Sequence, residues 1–163
     1  MQVLNLESAN RTLEQVSDPE IPVLTIADLG IIRDVKTEGR WVEVTITPTY
    51  SGCPAMDTIE ADIRTALKEA GWDEVKVKTV LDPPWTTDWM SIDGRRKLEE
   101  YGIAAPMDGT ADKRILFGKA VEVRCPRCKS IHTQRISQFG STPCKALYQC
   151  SSCLEPFDYF KCI

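Results

Sequence analysis

Between Trp41 and Thr47 the chain alternates, with Val42, Val44 and Ile46 on one face and Glu43, Thr45 and Thr47 on the other. A period of two predicts a half-buried strand. Ile31-Ile32-Arg33-Asp34-Val35 predicts a strand before it, and residues 37–40, with Gly39 available for positive φ, predict an antiparallel return. Residues 75–80 alternate again and predict a third strand. Two other stretches space their apolar residues by three and four. Leu6, Ala9, Leu13 and Val16 predict a first helix ended by Pro19 and Pro22, and Met56, Ile59, Ile63, Leu67 and Ala70 predict a second stopped by Gly71. The order α-β-β-α-β is that of a small two-layer α/β sandwich, an α+β fold. A further C-terminal helix is expected over residues 88–101, with Leu98 and Tyr101 facing inward and Gly102 as its stop.

Between the third strand and that helix, Pro83-Pro84 fixes an extended segment carrying Trp85 and Trp89. Two indoles are costly to leave in water, so they read as a lid packed over the sheet, or else as a wall beside a site or a docking patch. Residues 102–110, with Pro106 and Gly109, read as a linker, and residues 114–118 can still pack on the first domain. The expected boundary lies near residue 118, giving domains 1–118 and 119–163.

The second part changes the chemistry. Cys125-Pro-Arg-Cys128 and Cys150-Ser-Ser-Cys153 are two Cys-x-x-Cys pairs separated by 21 residues, each preceded by a strand-like run. Two such hairpins place four thiolates around one tetrahedral ion, which predicts a zinc ribbon with Cys125, Cys128, Cys150 and Cys153 as ligands of a structural Zn²⁺. Some 45 residues bury too little surface to fold alone, so the metal supplies much of the folding energy. Cys144 could replace a ligand but lacks a knuckle partner, Cys162 lies beside the last residue, and His132 is superfluous as a fifth donor and is expected to be a satisfied or solvent-facing imidazole.

Cys53 stands apart from these, in the Thr47-Pro-Thr-Tyr-Ser-Gly-Cys-Pro turn between strand and helix. With Pro54 at the first helical position, Cys53 falls at the cap, where helix N–H groups favour a thiolate. Its other reading is a small buried residue at a strand–helix junction. Asp18 and Glu20 sit on the stiff Asp18-Pro-Glu-Ile-Pro22 turn, where turn chemistry accounts for an Asp accepting from nearby N–H groups.

Composition narrows the function classes. The net charge of −4 divides into +4 on residues 119–163 and −8 on residues 1–118, and a divalent ion on four thiolates brings the former back to about +2. A nucleic-acid-binding ribbon has weak support from Arg124, Arg127, Lys129 and Arg135, against a strongly acidic larger domain. No run approaches the ~20 apolar residues of a membrane span, and the N-terminus has no signal-peptide pattern, so the expected location is the cytoplasm, where thiols stay reduced. No Ser–His–Asp set, GxGxxG or P-loop is found, nor a Glu-x-x-His pair of a di-iron bundle, so no independent enzyme is expected.

Residues 13–106 resemble the small iron–sulfur-assembly domain associated with the SUF pathway, through Asp18-Pro-Glu-Ile-Pro22, Asp28-Leu-Gly30, Thr47-x-Thr49-x-x-x-Cys53-Pro54, Asp82-Pro-Pro-Trp85 and Met90-Ser91. The ribbon, with Phe139-Gly-Ser-Thr-Pro-Cys-Lys145 and Glu155-Pro-Phe-Asp-Tyr-Phe-Lys161, is similar to that of the D-protein family of phenylacetate degradation. The resemblance implies an accessory or maturation role with phenylacetyl-CoA epoxidase, a ring-epoxidising di-iron monooxygenase fed by a flavin and [2Fe–2S] reductase. It implies that Cys53 is the functional thiol, a candidate ligand for transient iron or an iron–sulfur cluster, with Asp18, Glu20 and Thr49 grouped near it. The implied partners are the epoxidase reductase, the di-iron oxygenase subunits or both, and a cluster shared through Cys53 would add a second copy of the chain. The competing expectation is a non-catalytic scaffold that bridges reductase and oxygenase.

Overall fold

A computed structural model of the chain describes residues 4–106 and 122–161, which form two compact units. The first holds residues 4–85 and 89–91. The second holds residues 86–88 and the remainder.

The first unit opens with α1 (Leu6–Leu13). Asn5 caps it reciprocally: its side chain accepts from the Ser8 N–H at 2.8 Å, while Ser8 Oγ accepts from the Asn5 N–H at 2.9 Å. Strand β1 (Ile32–Glu38) turns through Gly39 into the antiparallel strand β2 (Trp41–Ile46), and β3 (Glu74–Thr79) runs parallel to β2. Helix α2 (Met56–Glu69) makes the crossover between the two parallel strands. Alternation decides the register of β2, because Val42, Val44 and Ile46 are fully buried while Trp41, Glu43 and Thr45 are half-buried; Thr47, expected on the outer face, lies past the strand end and is buried. Ile59, Ile63 and Leu67 supply the buried stripe of α2, and Leu13, Leu24, Ile26 and Ile31 fill the rest of the core.

The tryptophans pack within this unit. Trp85 is buried and donates its indole N–H to the Leu29 carbonyl at 2.8 Å. The pairing of β1 with β2 shifts register between Ile32 and Asp34, and the intervening Arg33 sets its guanidinium 3.5 Å from the centroid of the half-buried Trp89 ring. Ser91 donates to Asp28 from both its backbone N–H (2.8 Å, to the carbonyl) and its hydroxyl (3.0 Å, to the carboxylate). Gly30, at φ 69°, lies so close to this segment that a β-carbon there would stand 2.2 Å from the Trp89 carbonyl oxygen. Backbone clash and left-handed strain act together, so Gly30→Ala is expected to destabilise the fold by about 3 kcal/mol or more, seen as a lower urea midpoint.

In the second unit, α3 (Ile92–Tyr101) leads into β4 (Ile103–Ala104), and the sheet order is β4, β7 (Pro156–Phe160), β6 (Lys145–Cys150), β5 (Thr133–Ser137). Strand β4 is parallel to β7, and the other pairs are antiparallel. Tyr148 anchors the core, 6.0 Å from the Phe157 ring and 5.6 Å from the Tyr159 ring.

Three expectations differ from this arrangement. The third helix starts at Ile92 rather than Asp88, since residues 87–89 form a 3₁₀ turn. Leu98 is buried as expected, but Tyr101, at the helix end before Gly102, is 58% exposed. Helix α3 and β4 group with the ribbon, because β4 takes its backbone partners from β7. The expected boundary near residue 118, residues 114–118 and residues 107–110 of the expected linker fall outside the described residues, while Ile103–Ala104, expected in the linker, form β4. No described helix is long and apolar enough to cross a membrane.

Candidate functional site

The Cys53 loop hangs between β2 and α2. Its start is fixed by the Thr47 N–H donating to the Ile31 carbonyl at 2.9 Å, and its end by turn bonds from Cys53 N–H to Tyr50 (3.2 Å) and from Met56 N–H to Cys53 (3.3 Å). Pro54 and Ala55 belong to a turn before the helix. The cap position is therefore Ala55, which makes no side-chain cap bond, and Cys53 lies two residues earlier than the proline rule predicts.

That placement reverses the expected acidity. Burial pushes the half-buried Cys53 thiol up, and the carboxylates of Glu20 and Asp18 push it further in the same direction. The Ala55 N–H and the Thr49 hydroxyl, both hydrogen-bonded to the sulfur, oppose this without overcoming it. Asp18, Glu20, Thr49 and Cys53 thus meet electrostatically. Asp18 also does the work of a turn residue, its Oδ1 accepting from the N–H groups of Glu20 (2.8 Å) and Ile21 (2.7 Å).

Among the described residues, Cys53 and these carboxylates do not come close enough to form a ready-made set of metal ligands within one chain. The arrangement favours the protonated sulfur. Glu20→Gln removes a repulsive charge, so the Cys53 pKa should fall. Its alkylation by iodoacetamide at neutral pH, followed on the Cys53 peptide by mass spectrometry, is expected to quicken about threefold.

The second site is built by two matching turns. The sulfurs of Cys125, Cys128, Cys150 and Cys153 all lie within 4.8 Å of one another. Cys125 and Cys153 sulfurs stand 3.8 Å apart, and those of Cys128 and Cys150 3.5 Å, against about 3.8 Å for thiolates around tetrahedral zinc. Each turn ends on a non-glycine residue in the left-handed region, Lys129 and Leu154, both at φ 63°. Lys129 N–H closes the first turn on the Cys125 carbonyl at 3.0 Å. In the second, the N–H groups of Cys153 (3.5 Å) and Ser152 (3.4 Å) point at the Cys150 sulfur and hold its pKa down to about 6. The Glu155 N–H favours a thiolate at Cys153, but burial and the surrounding sulfurs win and push it up to about 12. Four thiols this close cannot all ionise without a cation, so the donor set fits a divalent metal. When bound there, zinc supplies a cross-link rather than chemistry, since four protein sulfurs leave it no open position.

Ser130 and Ser152, whose hydroxyls meet at 2.8 Å, and the Ser151 N–H donating to the His132 carbonyl at 2.8 Å, tie the two turns together. Nothing in the spacing of the cysteines signals these serines. His132 is exposed, and its imidazole lies outside the four-sulfur group. Cys144 is buried with its sulfur 3.0 Å from the Thr142 hydroxyl, also outside that group, and Cys162 falls outside the described residues.

Two family models match separate parts of the chain. Residues 7–80 match the model of the iron–sulfur cluster assembly protein family, and residues 109–161 that of the PaaD zinc beta ribbon domain. An Escherichia coli (strain K12) protein, provisionally described as one of the subunits of 1,2-phenylacetyl-CoA epoxidase, is 54% identical over 151 residues, covering 93% of this chain and 89% of its own. The Fe-S protein maturation auxiliary factor YitW of Bacillus subtilis (strain 168) is 42% identical over 89 residues, which is 52% of this chain and 84% of that protein. A solved domain of unknown function from Bacillus anthracis superposes with a TM-score of 0.53 at 32% identity, covering 56% of this chain and 89% of that one. A conserved hypothetical protein of Thermotoga maritima gives 0.52 at 31%, covering 60% and 97%.

Proposed function

The chain belongs to the PaaD family, and on that footing we propose that it is an accessory protein of phenylacetyl-CoA epoxidase, delivering iron or an iron–sulfur cluster to that complex through Cys53. The observation that carries this reading is the Cys53 thiol, half-buried beside Asp18 and Glu20 and hydrogen-bonded to Thr49, on the stretch that matches the iron–sulfur assembly family. The maturation factors among its relatives support the same class of role.

The cargo is the substrate of this activity. Its iron displaces the Cys53 proton to solvent and binds the thiolate, while Glu20 and Asp18 stabilise the positive charge that arrives. One sulfur cannot complete a cluster's four-thiolate set, so two copies of the chain supply two ligands and the client's cysteines complete the rest. Transfer is then ligand exchange: each bond to Cys53 is replaced by one to a client sulfur, and the Cys53 thiolate takes a proton back. The ribbon acts as a docking module whose metal is structural.

Epoxidase produced in cells lacking this chain is expected to keep its other subunits associated while its iron content per reductase or oxygenase subunit falls. Normal iron content in a complex that comes apart would assign the chain a bridging role instead.

A further inference from the structure

We propose that α3 and β4 are part of the metal-held module, so that loading of the four thiolates and folding of residues 92–104 are a single event. Strand β4 adds to the ribbon sheet by pairing Ile103 with Asp158 and Ala104 with Tyr159. Ala104, only 3% exposed, shares one buried cluster with Cys125 and Cys150, two of the four metal-binding cysteines. Lys129, the left-handed residue directly after Cys128, gives its ammonium to Glu99 of α3 at 2.9 Å. Arg95 of α3 donates to the carbonyl of Thr87 at 2.8 Å and to that of Pro106, fastening both ends of the segment.

None of these elements stands alone. A ten-residue helix with only Gly94 and Leu98 buried lies below the length at which isolated helices persist, and a two-residue strand has no stability of its own. The sheet that β4 joins is itself too small to hold together without its metal. The Lys129–Glu99 pair is exposed and adds little energy, but it places α3 against the first cysteine turn. Reciprocity follows: a metal that orders residues 92–104 binds more tightly when those residues are already ordered.

Hydrogen exchange on the full chain, zinc-loaded, stripped by a chelator and reloaded, tests this. Amides of α3 and β4 should lose protection by about tenfold or more together with those of β6 and β7, and regain it with zinc, while β1–β3 and α2 keep theirs. Retained protection in α3 after zinc loss would overturn the proposal, and so would an equal loss throughout residues 32–79. The reciprocal arm uses Ala104→Glu, which forces a carboxylate into the cluster around Cys125 and Cys150. Zinc should pass to a chromogenic chelator at about tenfold lower chelator concentration. Unchanged zinc retention in a variant whose α3 amides exchange freely would contradict the coupling.

Discussion

Cys150→Ser is expected to leave the chain without bound zinc and without a folded ribbon. Cys150 is fully buried, sits among the four sulfurs, and is the one whose thiolate is favoured in advance by two backbone N–H groups. Serine cannot supply that thiolate, and it buries a hydroxyl where a soft ligand stood. In short zinc modules the metal contributes about 10–16 kcal/mol to folding, more than the whole stability of many domains, so losing one ligand of four is not absorbed elsewhere. Zinc content should fall from about one per chain to near zero, with loss of near-ultraviolet dichroism from Tyr148 and Tyr159. The first unit should persist, since its buried core of Val42, Val44, Ile46, Ile59, Ile63 and Leu67 contains none of the four metal-binding cysteines. Cys144→Ser, whose sulfur lies outside the four-sulfur group, should keep its zinc and serves as the control.

The other large effect is expected at Cys53. Cys53→Ser should retain its unfolding free energy to within about 1 kcal/mol, because the side chain is half-buried and a hydroxyl can accept from Ala55 and Thr49 much as the sulfur does. Support of epoxidase activity in cells should nevertheless fall by at least about tenfold, towards that of cells lacking the chain, since a serine hydroxyl does not ionise to hold iron at neutral pH. The contrast between an intact fold and a lost function separates a cargo ligand from a packing residue. Full activity in the variant would return Cys53 to the role of a small residue at a strand–helix junction.

Much of this architecture is legible in the sequence where a local pattern decides it. Val42, Val44 and Ile46 announce β2 by alternation, and Ile59, Ile63 and Leu67 announce α2 by helical spacing. The two Cys-x-x-Cys pairs reveal the four-sulfur cluster because ligand spacing and turn geometry are the same constraint. What stays hidden depends on distant or uncoded contacts. Strand β4 has two residues, too few for any period, and it exists only because Ile103 and Ala104 meet Asp158 and Tyr159 far along the chain. Lys129 and Leu154 take positive φ with no glycine to signal it, since the turn around the metal site dictates their conformation. The cap of α1 also escapes, because Ser8 replaces the Glu or Gln of the usual capping box.

The Cys53 loop shows how a correct local rule leads to a wrong chemical expectation. Proline favours the first helical turn, but here Pro54 and Ala55 complete a tighter turn, and α2 starts only at Met56. The sulfur receives one backbone N–H rather than the full helix terminus, and the carboxylates of Glu20 and Asp18 arrive from a turn more than thirty residues earlier. A thiol raised in pKa stays protonated at neutral pH and so resists alkylation and oxidation, which is compatible with the carrier role proposed for it.

The most direct test of cargo binding at Cys53 is the metal and acid-labile sulfide content of the protein purified without oxygen. The expected result is about one zinc per chain with additional iron and sulfide, and a Cys53→Ser variant that keeps the zinc and loses the rest. Zinc alone in the unsubstituted chain, even after an attempt to reconstitute a cluster, would contradict it.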